Sequence, residues 1–518
     1  EMMCLTPEYH YEGCAVYEKE VDLSFEEAET VVFCMERTRA AKVWVNGVYA
    51  GEDRILTSPQ EYDITSCVRQ GKNTITVEVD NRFADMQTDA IIGSHMATAH
   101  TQTNWNGIVG SIEIVVYPAL FIEKIAARPV KGENAFKVRI DLRQNTGILQ
   151  PVGLEVFLDE KIIYTDENLV MPEKEQICFC HLPEEDFLLW DEFTPVLHRM
   201  RAVLHTGKGV FEKEQTFGVR HFEIADDRRH FQVNGNKIFV RSEANCAVFP
   251  LTGYAPMDEE SWERLLTNYQ SYGINYVRFH SWCPPDAAFC VADRLGIYMQ
   301  PELSEWTFET FDTDRDYAYY TEEAVRIENS YGTHPSYVAL TFGNELRSHK
   351  RERMSELCRY MRRIAPDKLY AEGSNAWYGE EGVNPDSDFV MAQGNYQEKW
   401  RGAYAGNTGF INEQQPGTLV NYDAALEQIE KPAISFEVGQ FQVYPDYREI
   451  DGYQGNLKPY NLQAFRSQLE KNGLKGQDSS FQKVTGRLSE LCYREEIEAA
   501  LRTKRLAGIS LLGIQDFS

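Results

Sequence analysis

From Val16 to about Tyr117 apolar and polar residues alternate in short runs, "TVVFCMER", "AKVWVNGVYA" and "NTITVEVDN", separated by turn residues. A period of two marks half-buried strands, so this stretch predicts an all-β sandwich. The Asn46-Gly47 pair between two runs predicts a tight hairpin, because both residues tolerate the positive φ of a primed turn. A second β-rich stretch, from Leu120 to about Phe222, includes "AFKVRIDLRQ", "VGLEVFLDEKIIY" and "HRMRAVLHT" and has no helical periodicity. It suits an immunoglobulin-like sandwich.

After Phe222 strand, loop and helix alternate. "KIFVRSE" precedes a helical Met257 to Tyr272, "NYVRFH" precedes Pro284 to Leu295, and "IYMQPEL" follows. Further apolar runs, "VALTFGNE", "LYAEGSN", "DFVMAQGN", "AISFEVG" and "GISLLGIQD", bring the strands to eight, which predicts a closed (β/α)8 TIM barrel rather than an open sheet. The expected domains are 1–118, 119–222 and 223–518, a division that suits 518 residues.

Barrel sites lie where strands end in polar residues. Here those residues are Arg278 and His280; Glu302 and Glu305; Asn344 and Glu345; Ser374 and Asn375; Gln393 to Tyr396; Glu437; Gln515 and Asp516. Retaining cleavage of a glycoside needs two carboxyls about 5–5.5 Å apart, one to attack the anomeric carbon and one to protonate the leaving oxygen. Strands four and seven face each other nearly across a barrel mouth, so Glu345 and Glu437 can meet there. The acid must stay protonated, which partial burial and its partner's charge favour; the nucleophile must stay ionised, helped by a cation such as Arg278.

The runs "GNEL", "SFEVGQ" and "YVRFHSW" resemble glycoside hydrolase family 2. The resemblance spans nearly the whole chain: "VWVNG", "EYDIT" and "NWNGIVGSIEI" look like the family's jelly-roll sugar-binding domain, and "LLWDEFTPVLHRMRAVL" is similar to the close of its immunoglobulin-like domain. It implies that Glu345 is the general acid/base, that Glu437 is the nucleophile, that Asn344 bonds the sugar 2-OH and that Tyr396 supports the nucleophile. It also implies that both ends are clipped, with opening jelly-roll strands missing and no helix after the eighth barrel strand. Where the family often has Gly then His after the first barrel strand, this chain has Ser242, Ala244 and Asn245. The Asn-x-Lys motif of the family's gut β-glucuronidases is not evident, and "VGQFQVYPDY" departs from lactose-type β-galactosidases, which suits a plant-polysaccharide specialist.

Composition narrows the partner. A formal charge of −28 argues against nucleic acid, whereas 28 Tyr and 8 Trp supply flat surfaces for sugar rings. Eleven scattered Cys read as reduced thiols, not a zinc or disulfide framework. No apolar run approaches membrane-spanning length and residues 1–20 lack a signal pattern, so a cytoplasmic setting and no membrane partner are expected. No motif calls for a metal or cofactor; magnesium or sodium is implied by family resemblance only, as is a homo-oligomer.

Other residues have plainer alternatives. Trp282, Trp306, Trp377 and Trp400 follow barrel strands, some to stack on sugar and at least one to fill core. Glu302 and Glu305 read as a loop-facing pair, and His95 with His100 as surface or interdomain packing rather than metal ligands. Asp314 to Asp316, Glu322 and Glu323 read as a solvated helix start. Arg347, Lys399 and Arg401 either hold an anionic sugar or offset local negative charge.

The expected function is thus an exo-acting retaining β-glycosidase on an oligo- or polysaccharide, a β-galactosidase first. Its site would be Glu345 and Glu437 as catalysts, with Asn344, Arg278, His280, Asn375, Tyr396, Trp306 and Trp377 around the sugar. A β-galacturonidase or an α-L-arabinopyranosidase is the alternative within the class, and a non-catalytic carbohydrate-binding protein the alternative outside it.

Overall fold

The computed structural model describes the chain except residues 1–4, 27–28, 84–85, 87–89, 98–103, 132, 134, 146–150, 171, 184–186, 208, 376–381, 395–398, 403–408 and 515–518. The first unit packs a four-stranded sheet (Cys14–Leu23, Gly71–Asp80, Ala40–Val45, Val48–Asp53, in that spatial order) on a three-stranded one (Gln60–Asp63, Thr30–Thr38, Ile108–Tyr117). Val31, Phe33, Met35, Val43, Val45, Val77 and Val79 fill the space between them. Their every-second-residue spacing puts one face of each strand inward. At Asn46 and Gly47, φ is 54° and 80°, and Val45 pairs with Val48 across the two-residue loop.

A second sandwich follows. Leu120–Pro129, Phe136–Gln144 and Lys174–His181 make one sheet; Pro151–Leu158, Lys161–Val170, His198–Thr206 and Gly209–Phe217 make the other. Phe136, Ile140, Leu154, Val156, Leu204 and Phe217 belong to its core.

Eight short strands then run parallel: Val240–Asn245, Tyr276–Phe279, Tyr298–Gln300, Ala339–Thr341, Leu369–Ala371, Val390–Ala392, Ala433–Gly439 and Gly508–Leu512. Six of them form one sheet, the fourth and fifth pair with each other, and the eighth pairs with both the first and the seventh. Parallel bridges Met299–Tyr337, Glu302–Thr341 and Ser374–Met391 link the two groups. This arrangement is compatible with a TIM barrel.

Helices Glu259–Ser271, Asp286–Leu295, Asp314–Tyr331 and Arg351–Ile364 follow the first four strands. Asp258 and Thr313 cap two of them by accepting the amides of Ser261 and Asp316. Among the described residues, the connections after strands five and six hold only the one-turn helix Phe410–Glu413, so the regular alternation expected of a barrel lapses there. Turn formers such as Gly382, Asn384, Pro385 and Asp386 dominate the first of these connections.

Buried polar contacts fix the sandwiches to the barrel. Arg37 donates to the carbonyls of Cys283 (2.9 Å) and Pro284 (3.1 Å), and Trp190 donates through Nε1 to the carbonyl of Asp293 (2.7 Å). Arg128 pairs with Glu328 and Asp367. Because these groups are desolvated, the loss of one partner strands the other, which makes the domain orientation specific.

Candidate active site

Arg278, at the end of the second strand, is fully buried and organises the mouth. It donates to Asn344 Oδ1 (2.8 Å); its Nε lies 3.1 Å from Glu302 Oε1 and its Nη1 3.8 Å from Glu437 Oε1. Side chains from strand ends two, three, four and seven therefore share one guanidinium. Glu302 is the deeper anchor: it accepts the Ser281 amide (2.7 Å) and the hydroxyls of Thr341 and Ser374. It is thus a structural hub inside the barrel, not half of a loop-facing pair. Glu305 is separate, buried under its own loop and accepting the hydroxyls of Thr307 and Thr310; burial raises its pKa to about 7.

Glu345 and Glu437 end strands four and seven in the same unusual way. Both have left-handed backbone, φ 50° and 51°, as does Asn375 at 53°. For a non-glycine residue this costs on the order of 1–3 kcal/mol and persists only where the surroundings over-determine it. The surroundings are visible: the Glu345 amide donates to the Ser374 carbonyl (2.7 Å), and the Asn375 side chain reaches Glu345 Oε1 (3.3 Å). Glu437 meets Gln440 Nε2 at 3.1 Å and His280 Nε2 at 3.8 Å.

Burial divides the pair unequally. Glu437 is buried and Glu345 half-buried. Desolvation pushes the Glu437 pKa up to about 7, Arg278 and Arg401 pull it down, and the negative charges of Glu345 and Glu302 push it up again. Arg278 thus favours the ionised form of Glu437, as expected of a nearby cation, but burial is the larger influence. Glu345 is nonetheless close enough for its charge to be felt by Glu437, so the two carboxyls share one environment.

Gly343 makes the turn into this site possible. Its φ is 133°, and a Cβ there would stand 2.2 Å from the Glu305 carbonyl oxygen. Gly343→Ala is expected to cost roughly 2–4 kcal/mol from backbone strain plus overpacking. A thermal midpoint unchanged within a degree would count against this account.

Of the other expected site residues, Asn344 is buried, and its Nδ2 has no partner among the described residues. His280 and Trp306 are in edge-to-face contact, centroids 4.7 Å apart. Tyr396 and Trp377 lie outside the described residues, as do His100, Gln515 and Asp516. Trp282 and Trp400 are core: each is at most 2% exposed, and Trp282 donates to the Asn245 carbonyl. Arg401 is buried beside Glu496 at 3.8 Å, so it is not an open cation at the mouth; Arg347 and Lys399 are exposed. Glu323, read as part of a solvated helix start, is instead buried and accepts the Ser304 amide and hydroxyl. His95 reaches the mouth from the first sandwich and contacts His280 (centroids 4.3 Å apart) and Trp306 (5.6 Å apart). Its partners stand more than 180 positions away, and nothing in its local sequence signals them.

Among the described residues, three ligand-type side chains converge at Asp286, Cys290 and His334. His334 donates to Asp293 (2.7 Å) and lies 3.2 Å from Asp286, and these carboxylates raise its pKa to about 10 against burial. A ring protonated on both nitrogens is an ion-pair partner of Asp286 and Asp293, and a cluster of one carboxylate, a thiol and an imidazole does not fit magnesium or sodium, which take oxygen ligands. The described cysteines are all free thiols, and no helix among the described residues is long and apolar enough to cross a membrane.

Residues 5–118 match the family model for the sugar-binding domain of glycosyl hydrolases family 2. The first sandwich thus matches that family's sugar-binding domain, and the comparisons support glycoside hydrolase family 2 for the chain. It is 22% identical over 330 residues to a β-galactosidase of Yersinia enterocolitica, covering 58% of this chain and 30% of that one. A β-galactosidase of Lactococcus lactis is 23% identical over 317 residues, with 58% and 29% covered. The chain thus spans about a third of the length of these curated relatives. Among solved structures, Parabacteroides merdae β-glucuronidase superposes with a TM-score of 0.70 at 17% identity, over 99% of this chain and 63% of that one. A family 2 β-galacturonidase from Eisenbergiella tayi, bound to galacturonate, also gives 0.70, at 15% identity over 97% and 82%. At such identities the structural likeness establishes the fold alone.

Proposed function

We propose that the protein is an exo-acting retaining β-glycosidase, a β-galactosidase first, working by double displacement. What supports this reading most is the buried Arg278, which donates to Asn344 beside Glu345 and lies 3.8 Å from Glu437, whose carboxyl also feels the charge of Glu345. A Glu437 carboxylate oxygen attacks the anomeric carbon while the bond to the leaving oxygen breaks and Glu345 gives that oxygen its proton. Glu345 then takes a proton from water, whose oxygen displaces Glu437 and frees the sugar with retained configuration. Asn344, through its Nδ2, meets the sugar 2-OH; Asn375 orients Glu345, and Trp306 offers an aromatic face.

The β-galactosidase assignment draws on the two curated relatives. A β-galacturonidase is the second reading, favoured by the likeness that covers most of both chains in the Eisenbergiella tayi comparison. An α-L-arabinopyranosidase remains the third, since its sugar shares the ring stereochemistry of β-galactose. Nitrophenyl β-galactoside, β-galacturonide, β-glucuronide and α-L-arabinopyranoside separate them by relative kcat/KM. Binding of sugar with cleavage of none would instead make the chain a carbohydrate-binding protein.

The reading also sets a pH dependence. Glu437 attacks only when ionised, and its pKa is raised to about 7. The kcat/KM of the free enzyme is therefore expected to climb about tenfold per pH unit below that value, as the ascending limb of a bell-shaped profile whose descending limb reports loss of the general acid's proton. A profile flat from pH 5 to 7 would contradict a buried nucleophile.

A further inference from the structure

Ser281 stands between two imidazoles. Its Oγ lies 3.0 Å from His95 Nδ1 and 3.2 Å from His280 Nδ1, and it also accepts the His95 backbone N–H at 3.0 Å. A hydroxyl has one proton to donate and two lone pairs to accept with. The amide takes one lone pair. The proton and the remaining lone pair then serve the two rings, so one ring presents a bare Nδ1 and the other a protonated one. Both rings are neutral, because burial pushes the His95 pKa down to about 3 and that of His280 well below the ordinary value.

The surroundings decide which ring is which. His280 Nε2 faces Glu437 Oε1, where an N–H is attracted to a carboxylate and a lone pair is repelled. His280 is therefore protonated on Nε2, and its Nδ1 accepts the Ser281 hydroxyl. His95 is then protonated on Nδ1, which donates to the remaining lone pair of Ser281 Oγ at 3.0 Å. That leaves His95 Nε2 as a bare acceptor, buried and without a partner among the described residues, on a ring held against Trp306 and His280. A buried acceptor left unmet is costly, so a donor is expected to arrive.

We propose that His95 Nε2, carried by the first sandwich, accepts a hydrogen bond from a hydroxyl of the bound sugar. The sandwich is then part of the binding site. The contact selects for a hydroxyl and against a carboxylate at this point of the ring, since a carboxylate offers only lone pairs. The identity of the ligand rests on the glycosidase reading; the tautomer does not. The competing donor is a water in the cavity of about 30 Å³ that His95 shares with Arg37, Met96 and Trp282.

The test is imidazole ¹⁵N NMR on histidine-labelled protein, with His95→Phe identifying the signal. An unprotonated Nε2 is expected, shifting towards the hydrogen-bonded range on saturation with galactose. A protonated Nε2 overturns the proposal, as does the lack of any shift with galactose, arabinose, galacturonate and glucuronate. In parallel, His95→Phe keeps the ring contacts but removes the acceptor, and is expected to lower kcat/KM on nitrophenyl β-galactoside roughly 10- to 100-fold, with partial recovery in His95→Gln. Of the 3-, 4- and 6-deoxy galactosides, one should be disfavoured by the native enzyme and not by His95→Phe; equal penalties in both enzymes would also overturn the contact. If the shift appears but no glycoside is cleaved, the hydrolase reading fails and this one stands.

Discussion

Glu437→Ala is expected to lower turnover of an activated β-galactoside by roughly four to six orders of magnitude, as removal of a nucleophile from a catalytic unit does, while the fold persists. The loss has a chemical signature. With the carboxylate gone, azide can enter from the face it vacated and give a glycosyl azide of inverted configuration; near-normal hydrolysis, or no azide adduct at all, would remove Glu437 from the nucleophile role. The same site makes a stability prediction of opposite sign. Glu437 has a folded pKa of about 7, above the ordinary carboxyl value of 4.5. Its contribution to stability is fully present below the unfolded pKa and lost as pH rises through the folded one. Glu437→Gln should therefore stabilise the protein at pH 8.5 by roughly 2–3 kcal/mol and hardly at pH 5, read as a difference between midpoint shifts at the two values. Activity and stability oppose each other at this position, as expected where a charge is held buried for chemistry.

Much of this architecture was legible in the chain because barrel strands are short apolar runs ended by a polar residue. "VALTFGNE" and "AISFEVG" announce both the strands and the carboxylates that close them, and Asn46-Gly47 announces a hairpin. What escaped is what depends on neighbours distant in sequence. Glu302 in "PELSEW" looks no different from Glu305, yet one joins Arg278, Thr341 and Ser374 inside the barrel and the other lies beneath a loop. His95 acquires meaning only beside His280 and Ser281. Desolvation has no sequence signature, so the heavier burial of Glu437 than of Glu345 could not be foreseen. Periodicity likewise said little about the segments after strands five and six, whose described residues hold only the one-turn helix Phe410–Glu413.

Glu345→Ala is expected to fail differently from its partner, and the difference assigns the roles. Glu345 is half-buried, its backbone amide tied to Ser374 and its carboxyl to Asn375, on the strand end beside Asn344. A general acid matters in proportion to how much the leaving oxygen needs a proton. For a sugar leaving group that need is high, and kcat/KM should fall roughly a thousandfold or more; for a dinitrophenolate it is slight, and glycosylation should proceed at a rate close to native. Removal of the intermediate then limits turnover, because no base activates water, and a pre-steady-state burst of dinitrophenolate should precede a slow steady state. Azide needs no base, so it should speed the second step and yield the retained glycosyl azide, the opposite anomer from that formed with Glu437→Ala. If the Glu345 variant loses activity equally on all leaving groups, or if both variants give the same anomer, the two carboxyls do not hold the separate posts that double displacement requires.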